Sequence, residues 1–423
     1  VPQLREDFKA QLITTLQSAY QESTGLNPGP VHLNFPLREP FLPRSLGITD
    51  PPIPHSICRL EGKDYPSTCN EISEQISGYE RPLIIAGQNV TSKDIEPWLK
   101  TPTVPILCDA LSSVRQSDAS NTILRYENLL RDPQFTQNGK PDLLVALGPL
   151  PTSKTLRSWI TSLTIPRIVI EPRGINIDPI PSESRSFQLG FDHLKEIRLP
   201  SPEKDWLAYW ADAEKQVQAK IDLAFSSELA KFEGKLAYLL SLYLPTDSNL
   251  FVANSMPIRD LEWFWKKNGA ALRLFGNRGV NGIDGTLGTA LGMAQGTSAP
   301  NYLLTGELAF LHDSNALLFA KQFTGTLTVF VINNEGGGIF EHLPISNEPE
   351  FEKCFATPQK FDLSKLCASF GIQYSLETDW EEIIEKIKKP VSKGIEVIEI
   401  PTDRKKDRQT RHQLLSISPN SDA

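Results

Sequence analysis

Two short stretches 27 residues apart constrain this chain most: Thr305-Gly306-Glu307 closes one apolar run, and Asn333-Asn334-Glu335-Gly336-Gly337-Gly338 closes another. The runs themselves, Tyr302 to Thr305 and Leu327 to Ile332, read as strands with helix-forming residues between them. That interval accommodates one right-handed strand–helix–strand crossover. Both stretches then emerge at the carboxyl edge of one parallel sheet, where open α/β folds bind ligands. Gly306 allows backbone to turn and approach a phosphate, and Glu307 offers a hard oxygen. Asn334 adds an amide oxygen, and the glycines after it free a main-chain carbonyl. The Glu307 carboxylate, the Asn334 side chain and the Gly336 carbonyl form an all-oxygen set suited to Mg²⁺ or Mn²⁺. Backbone N–H groups of the glycine triplet are expected to face phosphate oxygens.

The rest of the chain repeats this alternation. Strands are predicted at Pro82 to Ala86, Val104 to Cys108, Asp142 to Leu147, Arg167 to Glu171 and Glu196 to Leu199, and again at Leu250 to Ala253, Leu272 to Phe275 and Ile395 to Ile400. Their continuous apolar character suits parallel sheets covered on both faces, so the fold class is α/β with doubly wound parallel sheets. Leu4 to Ser23 reads as an amphipathic helix and Val31 to Asn34, which includes His32, as a short strand. The prolines between Phe35 and Pro66 forbid regular elements there. Expected boundaries are 1–45 for a first piece, 46–72 for a linker, 73–200 for a central α/β unit, 201–246 for a helical connector and 247–405 for the unit with the diphosphate motif. The charged, Ser-containing segment 406–423 is expected to be a disordered tail. Gly87-Gln88-Asn89 lacks the rest of a dinucleotide fingerprint, so NAD and FAD are not assigned.

Composition narrows the class of function. At 423 residues the chain is long enough for two or three domains, and a net charge of −8 leaves no nucleic-acid footprint. No apolar run approaches the roughly 18 residues that a membrane span needs. The five cysteines are odd in number and include no Cys-x-x-Cys pair, which fits thiols in a reducing compartment rather than a disulfide framework or zinc site.

Substrate chemistry is carried by polar groups at strand ends. Ser255 and Arg259 are four residues apart, on one face of a helix expected after the strand Leu250 to Ala253. A hydroxyl and a guanidinium there can grip a carboxylate, and Arg278 at a second strand end can take the same or another carboxylate. The five glycines Gly276, Gly279, Gly282, Gly285 and Gly288 have a period of three but no proline, so they read as a loop running into a helix rather than collagen.

The Gly-Glu to Asn-Asn interval resembles the thiamine diphosphate motif, which normally opens Gly-Asp. Further segments narrow the resemblance: Pro30-Val31-His32-Leu33-Asn34-Phe35-Pro36-Leu37-Arg38-Glu39-Pro40, Asn254-Ser255-Met256-Pro257-Ile258-Arg259-Asp260, Asn277 to Gly285, and Gly336 to Pro344. Together they resemble the 2-succinyl-5-enolpyruvyl-6-hydroxy-3-cyclohexene-1-carboxylate synthase family over the first residues to about Arg411. The resemblance implies thiamine diphosphate with Mg²⁺ or Mn²⁺ as cofactors and 2-oxoglutarate and isochorismate as substrates. It further implies menaquinone or phylloquinone biosynthesis, a homodimer or homotetramer, and a place in the cytoplasm or, in a plant or alga, the plastid stroma.

By the same resemblance the cofactor is held by Asn281, Ile283, Gly306, Glu307, Leu308, Asn334, Gly336 and Gly337, with Ile283 wedged between its rings. Ser255, Arg259, Arg278 and Lys154 contact substrates, and Ile339, Phe340 and Leu343 wall off the reactive carbon. Two departures stand out. Glu307 replaces the usual aspartate, lengthening the ligand by one methylene, and Thr155 follows Lys154 where a basic residue is common. The first piece reads as the end of a pyrimidine-binding domain whose activating glutamate is not in the sequence, so this stretch alone is expected to be inactive. Two alternatives stay open: another thiamine-dependent carboligase, against which the Arg259 and Arg278 pair speaks, and a diphosphate-binding module without catalysis. His312 reads as a helix-entry residue and His32 as structural.

Overall fold

The computed structural model describes residues 6–25, 28–34, 65–173, 177, 179–180, 184–226 and 231–421. Two six-stranded, wholly parallel sheets organise them. The first runs β3-β2-β1-β4-β5-β6, from β1 (Pro82–Ala86), β2 (Ile106–Cys108), β3 (Thr122–Ile123), β4 (Leu143–Leu147), β5 (Arg167–Ile170) and β6 (Arg185–Phe187). The second runs β11-β12-β10-β9-β7-β8, from β7 (Asn249–Val252), β8 (Arg273–Phe275), β9 (Asn301–Gly306), β10 (Thr326–Asn333), β11 (Gln373–Leu376) and β12 (Gly394–Pro401). Every residue of β1 and β4 is buried, as expected of strands with helices on both faces.

In the second sheet the chain leaves β7 toward β8 and then crosses to the other side of β7 to form β9. The divergence of connections between β7 and β9 opens a crevice at the carboxyl ends of the strands. In the first sheet the equivalent space beside β1 is filled. A Cβ on Gly87 would lie 2.3 Å from the Pro149 carbonyl oxygen and 2.6 Å from that of Leu147.

Helices α1 (Glu6–Thr24), α2 (Tyr65–Ile76), α3 (Lys154–Ser162), α4 (Trp206–Ser226), α5 (Glu233–Tyr243), α6 (Met256–Phe264), α7 (Thr286–Gln295), α8 (Glu307–His312) and α9 (Arg404–Leu415) carry the rest of the argument. The side of the first unit facing the second is built around buried arginines. Arg115 Nη2 donates to the carbonyls of Leu261 (3.0 Å) and Glu262 (3.3 Å), and Arg125 donates to those of Trp263 and Trp265. These carbonyls lie in and just after the last turn of α6, where all but that of Leu261, which also accepts from the Trp265 N–H at 3.2 Å, lie past the reach of the helix's own N–H groups, so two cations cap that helix at its negative pole. Glu214 of α4 holds the Arg125 segment in turn, accepting from the Arg125 N–H at 2.7 Å. The helix that bears Arg259 is thus fixed from the opposite unit. No helix among the described residues is long and apolar enough to cross a membrane.

Several sequence expectations are corrected. The tail predicted from 406 onward is instead helix α9, which buries Asp407, Arg411, Leu414 and Leu415. Its start is capped by Asp403, which accepts from the N–H groups of Lys405 (3.0 Å) and Lys406 (3.1 Å). Beyond it, Lys220 Nζ donates to the Ser418 and Pro419 carbonyls, each at 2.9 Å. The charges read as a mark of disorder have internal partners instead. The predicted strand Glu196 to Leu199 is not one, because Phe191–Glu196 is a 3₁₀ turn and the edge strand is β6. There the Ile197 carbonyl accepts from the Trp98 indole at 3.1 Å and the Arg198 N–H donates to the Ser73 hydroxyl at 3.0 Å, so that backbone serves side chains instead of a ladder.

The linker expected over 46–72 already gives way to α2 at Tyr65, with Pro66 in the first turn where proline is tolerated. Residues 35–64, including Cys58, lie outside the described residues. Val31 to Asn34 forms no strand, and His32 is exposed rather than structural.

Candidate active site

Four strand ends meet at one cleft of about 470 Å³. After β7 come Asn254 and Ser255, after β8 the loop with Arg278, Asn281, Gly282 and Ile283, after β9 Gly306, Glu307 and Leu308, and after β10 Asn334 and Gly336 to Phe340. Every residue predicted for the site lines this cleft except Lys154 and Leu343.

The two halves of the Gly-Glu to Asn-Asn interval are tied directly. Gly336 N–H donates to Glu307 Oε1 at 2.6 Å. Glu307 is buried at the first position of α8, and burial pushes its carboxyl up to about 7, with no cation among the groups that perturb it. Asn334 is also buried, and its Nδ2 donates to Glu233 Oε2 at 2.7 Å while its Oδ1 has no hydrogen-bond partner among the described residues. A buried carboxylate with no cation perturbing it, beside an orphaned amide oxygen, is the donor set of a hard divalent cation. No group of three or more His, Cys, Asp or Glu side chains among the described residues could hold a metal, so a site here must use amide and main-chain oxygens. The residues fit Mg²⁺ or Mn²⁺.

The glycine triplet plays a different part from the one its sequence implied. Its N–H groups are engaged inside the protein: Gly336 on Glu307, Gly337 on the Ala356 carbonyl at 2.7 Å and Gly338 on the Gly336 carbonyl at 2.9 Å. Gly336 is required because its φ is +140° and a Cβ would lie 2.6 Å from the Ala356 oxygen. Gly306, by contrast, is an ordinary extended residue with φ −89°. A Cβ there would meet no protein atom nearer than 4.0 Å, so bare backbone faces the cleft.

Two cations also line the cleft. Arg259 Nη1 donates to the Ser255 carbonyl at 2.7 Å, and Ser255 itself has a φ of +73°, a backbone state that costs a non-glycine residue about 1–3 kcal/mol. Ser255 therefore precedes α6 rather than sharing its face with Arg259 as predicted. Burial and then the proximity of Arg278 lower the Arg259 pKa. Arg278 donates to the Asn254 carboxamide and, from Nη2, to the Thr152 hydroxyl at 2.8 Å. The glycine stretch is a loop running into α7, as its composition implied, with Ile283 half-buried and Asn281 exposed.

Ile339 and Phe340 lie on a 3₁₀ turn, Gly338–His342, at the border with a second cleft of about 870 Å³. Thr152, Met256, Arg259, Ile339 and Phe340 line both clefts. Lys154 and Leu343 belong to the second. Lys154 opens α3, whose cap Ser153 accepts from the Leu156 N–H at 2.9 Å. Thr155, where a basic residue had been expected, donates to Glu127 Oε1 at 2.6 Å, and Arg131 donates to that same oxygen at 2.7 Å. A guanidinium from elsewhere thus reaches the neighbourhood of Thr155. His312 is an exposed residue at the end of α8, not its start.

Sequence reasoning missed Asn254, Glu233, Thr152 and Arg131. Asn254 was detectable as part of a quoted segment. Its Nδ2 donates to the carbonyls of Asn277 (2.9 Å) and Gly282 (2.6 Å), which shapes the loop. Glu233 and Arg131 stand far from any motif and carry no local signal.

Comparison with known proteins gives the family. Residues 270–400 match the family described as thiamine pyrophosphate enzyme, C-terminal TPP binding domain. The chain is 37% identical over 429 residues to the 2-succinyl-5-enolpyruvyl-6-hydroxy-3-cyclohexene-1-carboxylate synthase of Rippkaea orientalis, covering 95% of this chain and 71% of that protein. The enzyme of the same name from Gloeothece citriformis is 37% identical over 437 residues, 97% of this chain and 74% of the relative. That of a Nostoc strain is 37% identical over 440 residues, with shares of 96% and 73%. With the diphosphate motif, its strand-end geometry and this similarity along nearly the whole length in hand, the chain belongs to the 2-succinyl-5-enolpyruvyl-6-hydroxy-3-cyclohexene-1-carboxylate synthase family.

Proposed function

We infer that this cleft carries out the reaction for which its relatives are named, the thiamine diphosphate-dependent transfer of a succinyl unit from 2-oxoglutarate to isochorismate in menaquinone biosynthesis. The observation that carries the substrate reading is the pair Arg259 and Arg278. Two guanidinium groups lining one cleft, with Arg259 at its border with the second cleft, suit a dicarboxylate donor better than a monocarboxylate.

Thiamine diphosphate supplies, when bound, an acidic carbon that adds to a keto carbonyl and takes up the electron pair released with CO₂. The protein's share is to bind, orient and exclude water. Glu307, Asn334 Oδ1 and the Gly336 carbonyl would hold the divalent metal, and Gly306, Leu308 and Gly337 would help to hold the diphosphate end of the cofactor. Asn281 and Ile283 would support the middle of the cofactor. Arg259, anchored on the Ser255 carbonyl, would fix the distal carboxylate of the donor, with the Ser255 hydroxyl as its neighbour. Arg278 is already oriented by Asn254 and Thr152 and would meet a second carboxylate. Ile339 and Phe340 would form an apolar wall, and a water-poor setting favours loss of CO₂ from a charged ground state. Lys154, with Leu343 and Arg131 in the adjoining cleft, would receive the acceptor. A homodimer or homotetramer, and a site in the cytoplasm or plastid stroma, complete the proposal.

The test is CO₂ release from 2-oxoglutarate by the full-length protein with thiamine diphosphate and Mn²⁺, with and without isochorismate. Product formation that requires both substrates is expected. Turnover of pyruvate in preference to 2-oxoglutarate would overturn the reading in favour of another carboligase.

A further inference from the structure

We propose that Glu233, clamped by Arg411 of the C-terminal helix, is the positioning residue that turns the Asn334 carboxamide oxygen toward the metal position. This rests on the reading of the Glu307 and Asn334 end of the cleft as the metal site. A carboxamide offers an oxygen on one side and an N–H₂ group on the other, and rotation by half a turn exchanges them. Only the oxygen can bind a cation, so something must fix the sense. At Asn334 that something is a carboxylate. Glu233, buried at the start of α5, accepts from Asn334 Nδ2 at 2.7 Å, which leaves Oδ1 as the atom without a partner among the described residues.

The carboxylate is itself immobile. Arg411 donates from Nη2 to Glu233 Oε1 at 2.5 Å and, through Nε and Nη2, to both oxygens of Asp260 at 2.8 Å. The guanidinium also lies over the Phe232 ring, 5.2 Å from its centroid. Arg411, Glu233 and Asp260 are all buried. An arginine gripped on two sides can only donate, so Glu233 must present an acceptor to it and retains its second oxygen for Asn334. Room for the carboxamide comes from Gly338, where a Cβ would stand 2.7 Å from Asn334 Nδ2. Through Asp260, the residue after Arg259, the same arginine also touches the substrate end. Helix α9 is therefore tied to the active site, and its Arg411, His412 and Leu415 line the second cleft.

The arrangement makes a reversible prediction. In Glu233→Gln the single remaining side-chain oxygen is drawn to Arg411, so the new N–H₂ group faces Asn334 and turns its nitrogen toward the metal. Mn²⁺ affinity in the presence of thiamine diphosphate, followed from free Mn²⁺ by electron paramagnetic resonance with the full-length protein, should fall about tenfold or more. Adding Asn334→Asp should restore most of it, because an aspartate accepts from the amide introduced at position 233 with one oxygen and offers the other to the metal. A role confined to folding would lower thermal stability in both variants without this recovery.

Unchanged Mn²⁺ affinity in Glu233→Gln, or a double variant that folds and binds no better than the single one, would overturn the proposal. If the single variant does not fold, the double variant decides. Since it satisfies every bond in the pair, failure to fold or to bind Mn²⁺ counts against the proposal. Asn334→Leu is the control for the site itself. If that variant keeps Mn²⁺, the metal site is misplaced, whereas parent-like binding by Glu233→Gln alone removes only the role of Glu233.

Discussion

Arg278 and Thr152 are joined by a hydrogen bond of 2.8 Å that links the loop after β8 to the loop after β4. The first unit thus contributes to orienting Arg278, the cation proposed to meet a substrate carboxylate. With the arginine caps on α6, this contact ties the cleft to both units. Thr152→Val should leave the fold intact and remove one of the two contacts that orient Arg278, leaving Asn254 as the other. Loss of one such bond is worth about 0.5–1.5 kcal/mol. The expected result is a several-fold rise in KM for 2-oxoglutarate with thiamine diphosphate affinity unchanged, measured by steady-state kinetics beside cofactor titration.

Asn334→Leu removes the amide oxygen left without a partner at the Glu307 end of the cleft. Metal-dependent retention of thiamine diphosphate should be abolished. Calorimetric titration with and without a chelator checks this, and cofactor binding that remains intact and chelator-sensitive would show that Asn334 is not a ligand.

Arg259→Ala should raise KM for 2-oxoglutarate and leave the cofactor in place. A charge-assisted contact is worth roughly 1.5–3 kcal/mol, which is about one to two orders of magnitude in kcat/KM. Loss of thiamine diphosphate instead would put the arginine at the wrong end of the site.

How far the sequence led is clearest from pairs of residues. Glu307 and Asn334 could be brought together from text alone because each ends a strand of a parallel pair, and the crossover length fixes both at one edge. Ser255 and Arg278 followed by the same logic of strand ends, whereas Ile283 came only from the family resemblance. Arg411 could not be found this way. It lies 178 positions from Glu233, and its segment is charged enough to pass for a tail, so only the assembled fold reveals where its charge goes. Arg115 and Arg125 are similar: each is a lone basic residue in sequence, and each becomes legible only once the end of α6 presents its carbonyls. The glycine triplet misled for another reason. Its composition fits a phosphate cradle and a tight packing corner equally well, and hydrogen bonds to Glu307 and Ala356 identify the second.

Arg411→Met should therefore be one of the most damaging single changes away from the cleft. It strands the buried carboxylates of Glu233 and Asp260, and breaking such a pair typically costs about 3–5 kcal/mol. Chemical denaturation should show a loss of that order. A near-parental midpoint would mean that α9 is peripheral.

The central claim concerns where the metal sits, and a crystal of the full-length protein grown with thiamine diphosphate and Mn²⁺ tests it most directly. The anomalous difference map should place Mn²⁺ at roughly 2.1 Å from Glu307, the Asn334 carboxamide oxygen and the Gly336 carbonyl. A peak away from these three groups, or one that no oxygen of Asn334 approaches, would contradict the account.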